Sequence, residues 1–353
     1  MADRSMLLGC ADALQVSFDV ALLDLDGVVY RGDHAVPHAP GALAEAREAG
    51  MQMMYVTNNA SRTPDVVARH LTDLGVPTGP EEVTTAAQAA ARIVAADADS
   101  DTTVLPIGGE GLHRALLDEG LTVVDTAEAH PRVVVQGLEK SLTWADLAEA
   151  TYAILAGADH IATNLDSTLP TDRGLTLGNG ALVAAVVHAT GVHPRSAGKP
   201  EPEIFRQAAS RTGGHRPLVV GDRLNTDLAG ARAAGYPGLH VLTGVDGPAE
   251  LLRARAEERP SHLGIDLRAL AQTHPAPEQG EDGRWTCRDA VAQVQAETVL
   301  LHRRDGEIDL HAGGEVTLDE LRAACAASWA ASDAAGVSTV LGAPGAPLVV
   351  TSD

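Results

Sequence analysis

Residues 20–32 read VALLDLDGVVYRG. Four apolar residues run without interruption into two carboxylates, Asp24 and Asp26, which are one residue apart and followed at once by Gly27. A short continuous apolar run is the pattern of a strand buried on both faces, as in a parallel sheet covered by helices. Side chains of an extended strand alternate with a period of two, so the pair would point to one side and repel unless a proton or a cation came between them. In open parallel sheets ligands bind beyond the carboxyl ends of the strands, which is where this pair falls.

The chain around this stretch alternates. PGALAEAREAG predicts a helix opened near Pro40 and closed by Gly50, MQMMYVTNN a second strand, and TPDVVARHLTDLG a helix with Thr63 as N-cap and Gly75 as its stop. The middle repeats the pattern through AAQAAARIVAA, TTVLPIGG, GLHRALLDEG, LTVVD, RVVVQGL, TWADLAEATYAILAGA, HIATNLD and NGALVAAVVHATG. It then resumes with KPEPEIFRQAASRTG, RPLVVGD, NTDLAGARAAG and GLHVLTG. Such alternation predicts an α/β fold built on a parallel sheet. A second domain inserted into the first accounts for the order: residues 1–85 and 191–257 form the outer domain and 86–190 the insert. EERPSHLG and THPAPEQGEDG read as connectors to a small α+β unit at 258–353, where Thr317 and Glu320 have capping-box spacing.

Of the 353 residues, 48 are acidic and 26 basic, a net charge of −22. That balance repels nucleic-acid backbones and anionic membrane surfaces, so neither is an expected partner. An anionic ligand would need a local cluster of cations or a metal. Three cysteines without Cys-x-x-Cys spacing suggest neither a disulfide framework nor a zinc site and fit a reducing cytoplasm. No apolar run approaches the roughly 18 residues of a membrane span. LLGC at residues 7–10 imitates a lipoprotein cleavage site, but Asp3 stands where a basic leader is needed and the apolar stretch is too short.

Four polar clusters occupy places where chemistry could sit: Asp24 with Asp26; Thr57, Asn58 and Asn59 after MMYV; Lys199 in AGKPEPEIF; and Asp222 with Asp227 in LVVGDRLNTD. A hard divalent cation such as Mg²⁺ takes one or two carboxylates and fills its other positions with water and phosphate oxygens, and Asp222 offers a carboxylate from another strand end. One aspartate could then act as nucleophile and the other supply a proton. Gly27 permits a tight turn whose N–H groups face an anion, while Thr57 and Lys199 suit a phosphoryl group. Each cluster alone also reads as a cap or a turn; their joint order points to one site.

DLDGVVY, VTNNASRTP, GKPEPEIF and GDRLNTD resemble the four motifs of the haloacid-dehalogenase-like hydrolases. IATNLDSTLPTDRG followed by GNGALVAAV is similar to the class with a large α/β cap inserted after the second motif, the 4-nitrophenylphosphatase and glycerol-3-phosphate phosphatase type. The resemblance covers residues 15 to 250 or so. It implies a Rossmann-like parallel-sheet core, an inserted cap that governs specificity, Mg²⁺ as cofactor and phosphomonoester hydrolysis. Asp24 would be the nucleophile and Asp26 the general acid and then base, also giving its backbone carbonyl to the metal. Thr57, with Asn58 and Asn59 beside it, would bind phosphate; Lys199 would hold phosphate and Asp24 together. Asp222 would ligate the metal and Asp227 orient its waters.

Asn164 and Asp166 match the cap loop and are expected near the substrate, although a strand-to-turn TNLD with local capping reads equally well; Gly178 to Gly180 reads as a turn before a helix. Two phenylalanines and four tyrosines leave few rings for a nucleobase or pyridoxal, which favours small aliphatic phosphates, glycerol phosphate or phosphoglycolate, and the resemblance to the glycerol-3-phosphate phosphatase branch implies glycerol 3-phosphate. Phosphoglycolate, nucleotides, pyridoxal phosphate and a catalytically idle binding protein are the alternatives. The tail resembles part of an acetyltransferase fold without the glycine-rich turn that cradles coenzyme A, GAPGAP included, and reads as a structural or dimerising appendage; a homodimer is left open. His188 reads as a packed or rim residue, and IGGEG at 107–111 as a tight turn.

Overall fold

The computed structural model describes residues 6–171, 173–304, 306–341 and 345–351. Asp3 and the first half of GAPGAP lie outside the described residues. The fold has two compact units, Met1–Met53 with Thr212–Asp353, and Met54–Arg211.

In the first unit Val20–Leu23 is a strand with all four residues buried, as its unbroken apolar run requires. It pairs in parallel with Pro217–Gly221, which pairs with Gly238–Val241, which pairs with His262–Gly264. The last strand lies inside EERPSHLG. Pro260 and the acidic residues mark that stretch as a connector, yet His262 is buried and the three-residue strand completes the sheet edge. So short an element carries too little periodicity to announce itself. The helix Ala39–Glu48 ends where expected, with Gly50 at φ +95°.

The tail adds an antiparallel sheet running Glu278–Gln279, Trp285–Cys287, Ala290–Gln295, Thr298–Arg303 and Gly306–Asp309. The helix Leu318–Ala335 packs on it, opened by the anticipated box: Glu320 N–H donates to Thr317 Oγ1 at 3.2 Å and Thr317 N–H to Glu320 Oε2 at 2.8 Å. Trp329 on this helix is fully buried, donates from Nε1 to Leu251 O at 2.9 Å and lies under the Arg259 guanidinium. Leu228, Leu251, Leu252 and Leu263 share one apolar cluster with Leu301, Leu321 and Trp329, so the tail is built into the unit's core.

The second unit holds a parallel sheet ordered Arg195–Ser196, Asp159–Ala162, Val133–Gln136, Thr103–Ile107 and Thr122–Val123. Helices Trp144–Leu155 and Asn179–Thr190 cover it through Val134, Ala150, Ile154 and Val186. The strand read in HIATNLD stops at Ala162, leaving TNLD as loop, and an antiparallel hairpin of Thr168–Thr171 with Gly174–Leu177 follows. His188 is exposed. In IGGEG the glycines serve close packing: a Cβ on Gly111 would lie 2.5 Å from Arg62 O. Among the described residues no helix is long and apolar enough to cross a membrane.

Candidate active site

The parallel ladder sets Leu23 opposite Val220 and Gly221 opposite His240, and Asp24 N–H donates to Val220 O at 2.9 Å. Asp24 and Asp222 therefore leave adjacent strand ends at nearly the same level. Asp227 joins them from the five-residue π turn Leu224–Leu228, a widened turn of the kind that recurs at functional sites. Its Oδ2 accepts from Arg223 N–H at 3.1 Å, which folds the side chain back towards the sheet. Asp24, Asp222 and Asp227 are all buried and each presents a carboxylate oxygen within 4.8 Å of the others.

Three glycines make room for this triad. A Cβ on Gly221 would stand 2.1 Å from Asp227 Cβ, and one on Gly244 only 1.7 Å from Asp222 Oδ2. Gly27, at φ +86°, would place a Cβ 2.5 Å from the same oxygen. Val245 N–H donates to Asp222 Oδ2 at 2.7 Å, Thr243 Oγ1 to Gly27 O at 2.7 Å, and Leu224 N–H to Asp246 Oδ2 at 2.7 Å. Burial raises the Asp246 carboxyl above its ordinary range. The loop 243–246 went unnoticed in the sequence, although it follows the apolar strand Gly238–Val241 as the other clusters follow theirs.

At such separations each pair of carboxylates repels by on the order of 3 kcal/mol even at an effective dielectric of 20. An all-oxygen donor set, buried and held open by glycines, fits a hard divalent cation. Asp26 stands apart. The strand ends at Leu23, so the alternation that would align it with Asp24 stops, and Asp26 is exposed at the turn leading to Gly27.

In the second unit Thr57 ends its strand buried, and its Oγ1 accepts from Asn59 N–H at 3.1 Å. Asn59 builds the following turn, its Oδ1 accepting from Ser61 N–H at 3.0 Å and Arg62 N–H at 3.1 Å. Ser196 pairs with Ala162, which brings Lys199, buried at 4% exposure, beside the loop that begins at Thr163. Asn58 sits between them. Its Oδ1 accepts from Lys199 N–H at 2.8 Å, while Nδ2 donates to Lys199 O at 3.1 Å and to Asp166 Oδ2 at 3.1 Å. Asn164 donates from Nδ2 to Asn58 O at 2.8 Å and accepts from Asp166 N–H at 3.1 Å. The structure thus gathers Asn58, Asn164, Asp166 and Lys199 in one unit, and Asp24, Asp222 and Asp227 in the other.

A strand-end acidic triad on a parallel α/β sheet defines a class. A model described as haloacid dehalogenase-like hydrolase matches residues 21–122, and a second of HAD-hydrolase-like description matches 196–270. The chain belongs to the haloacid dehalogenase-like hydrolases. Within that family it is similar to the D-glycerol 3-phosphate phosphatase of Mycobacterium tuberculosis, 46% identical over 254 residues that span 72% of this chain and 71% of the relative. A crystal structure of glycerol phosphate phosphatase from the same organism, in complex with magnesium, superposes with a TM-score of 0.80 at 39% identity, covering 90% of this chain and 91% of that one. The acid sugar phosphatase of Staphylococcus haemolyticus is 36% identical over 248 residues, 70% of this chain and 92% of its own.

Proposed function

We propose that the chain hydrolyses small phosphomonoesters with Mg²⁺ through a phosphorylated aspartate, and that glycerol 3-phosphate is its favoured substrate. The observation that carries this reading is the buried carboxylate triad, since three like charges gathered at strand ends call for a hard cation. The relative named as a D-glycerol 3-phosphate phosphatase and the solved relative in complex with magnesium support it. Asp24, Asp222 and Asp227 would hold the ion, which when bound offsets negative charge on the phosphoryl oxygens.

The chain's own residues divide the rest. Asp24 attacks phosphorus as the bond to the leaving alcohol breaks, and Asp26 gives that alkoxide its proton. Asp26, now a base, takes a proton from water, which attacks the aspartyl-phosphate and returns Asp24 with inorganic phosphate. Exposure of Asp26 at the turn suits a group that exchanges protons with solvent. Thr57 and Lys199 donate to the phosphoryl oxygens. In this reading residues 86–190 are the specificity cap, 1–85 with 191–257 the catalytic core, and 258–353 a non-catalytic C-terminal domain, whose strand His262–Gly264 nonetheless completes the core sheet.

The test is phosphate release from glycerol 3-phosphate, phosphoglycolate, pyridoxal phosphate and nucleoside monophosphates, with Mg²⁺ and with chelator. Turnover should require Mg²⁺, and kcat/KM should be highest for glycerol 3-phosphate. Asp24→Asn should stay folded and lose at least ~10³-fold in kcat. Undiminished turnover in that variant would defeat the covalent route, and a preference for another ester would defeat the substrate assignment.

A further inference from the structure

We propose that Asn58 is a positioning residue for Lys199: its single amide takes both backbone polar groups of the lysine and ties them to the Asn164–Asp166 loop. This rests on the phosphatase reading. A side-chain amide placed beside a phosphate site is ordinarily expected to touch the substrate, yet here its polar atoms are engaged within the protein. Oδ1 accepts from Lys199 N–H and Nδ2 is shared between Lys199 O and the Asp166 carboxylate. The arrangement copies what a neighbouring strand would offer, one donor and one acceptor to the same residue, at the point where the strand Arg195–Ser196 has ended.

The chain's close packing leaves this amide little freedom. A Cβ on Gly198 would lie 2.5 Å from Asn58 Oδ1 and 2.6 Å from Thr163 O, so the residue before the lysine passes tightly over the amide. The loop that receives Nδ2 is itself held. Asn179, buried at the start of the helix Asn179–Thr190, donates from Nδ2 to Asn164 O at 2.8 Å. Gly180 N–H donates to Asp166 O at 2.9 Å, and a Cβ on Gly178 would stand 2.2 Å from that oxygen. Gly178 and Gly180 are thus close-approach positions for the loop as well as residues of a turn. From Asn179 through Asn164 to Asn58 three buried or half-buried amides form a chain of hydrogen bonds that ends on the lysine backbone. A cation that must meet developing charge on phosphoryl oxygens gains from being held, because displacement by about 1 Å can cost ~10²-fold.

Asn58→Asp keeps size and the acceptor for Lys199 N–H, removes both donors and sets a second carboxylate against Asp166. The enzyme carrying it should show kcat and kcat/KM for glycerol 3-phosphate lowered together by about 100-fold. KM should change by less than ~3-fold, with the thermal unfolding midpoint staying above the assay temperature. Added to Lys199→Ala, assayed on 4-nitrophenyl phosphate, the same substitution should cost under ~3-fold, because the group it places is gone. Should Asn58→Asp unfold, Asn58→Ser, which brings no charge, is held to the same criteria. A kcat within twofold of wild type, a loss only in proportion to unfolded protein, or a second ~100-fold loss on top of Lys199→Ala overturns the inference. Wild-type protein that releases no phosphate from any ester removes the phosphatase reading, and this inference with it.

Discussion

At the scale of single residues the site depends on atoms that are missing as much as on those present. Gly244 has no side chain to aim, yet a methyl group there would meet Asp222 Oδ2 at 1.7 Å. Because Asp222 is fully buried and Val245 N–H fixes that oxygen, the carboxylate cannot simply swing aside. Gly244→Ala should therefore raise the Mg²⁺ concentration for half-maximal activity by about 10- to 100-fold, the usual effect of disturbing what orients a ligand. Magnesium titration of phosphate release checks it, and an unchanged titration would show that the loop yields. Asp24 and Asp222 were legible in the sequence because each directly follows its apolar run. Gly244 was not, since its close approach to Asp222, a residue on another loop, leaves no local trace in the sequence. Asp227 fell between. Its carboxylate was visible, but its place in the triad follows from the π turn Leu224–Leu228, which no periodicity announces.

Elements were read well where they were long or fully buried and poorly where they were short. Val20–Leu23 and Pro217–Gly221 are continuous apolar runs, and the helix Leu318–Ala335 carries its own start signal in Thr317 and Glu320. His262–Gly264, by contrast, is a strand only because Gly238–Val241 offers it a ladder. The helix Leu318–Ala335 also shows what sequence could not say of the tail: its apolar face meets the segment Pro248–Leu252 through Trp329 and Leu251. Removing that side chain leaves a large void and an unanswered carbonyl at Leu251. Trp329→Ala should cost about 3–5 kcal/mol in urea unfolding monitored by circular dichroism. A cost under about 1 kcal/mol would mean that the helix is only loosely applied.

For the whole molecule the decisive variable is acid. His262 and His274 stack edge to face with ring centres 5.1 Å apart, and His274 Nε2 lies 3.0 Å from Ala269 O. Burial keeps both neutral, pushing the imidazole of His262 down to about 3 and that of His274 to about 4. The unfolded chain takes a proton on each near pH 6.5, whereas the native chain does not until about pH 4 and about pH 3. Between these values the unfolded state binds more protons. Stability is whole above pH 6.5 and is lost as pH falls, by on the order of 3 kcal/mol for His274 and on the order of 5 kcal/mol for His262 at the bottom of the window. Urea midpoints should be level from pH 8 to 7 and decline steeply below 6; a level curve down to pH 4.5 would contradict the burial of the pair. The apolar cluster that joins Leu228, Leu251 and Leu252 to Trp329 and Leu321 has a practical corollary. A version trimmed before residue 258 would not be a leaner enzyme: it would present a raw oily flank to solvent, and clumping during expression is the fate that such an amputation invites.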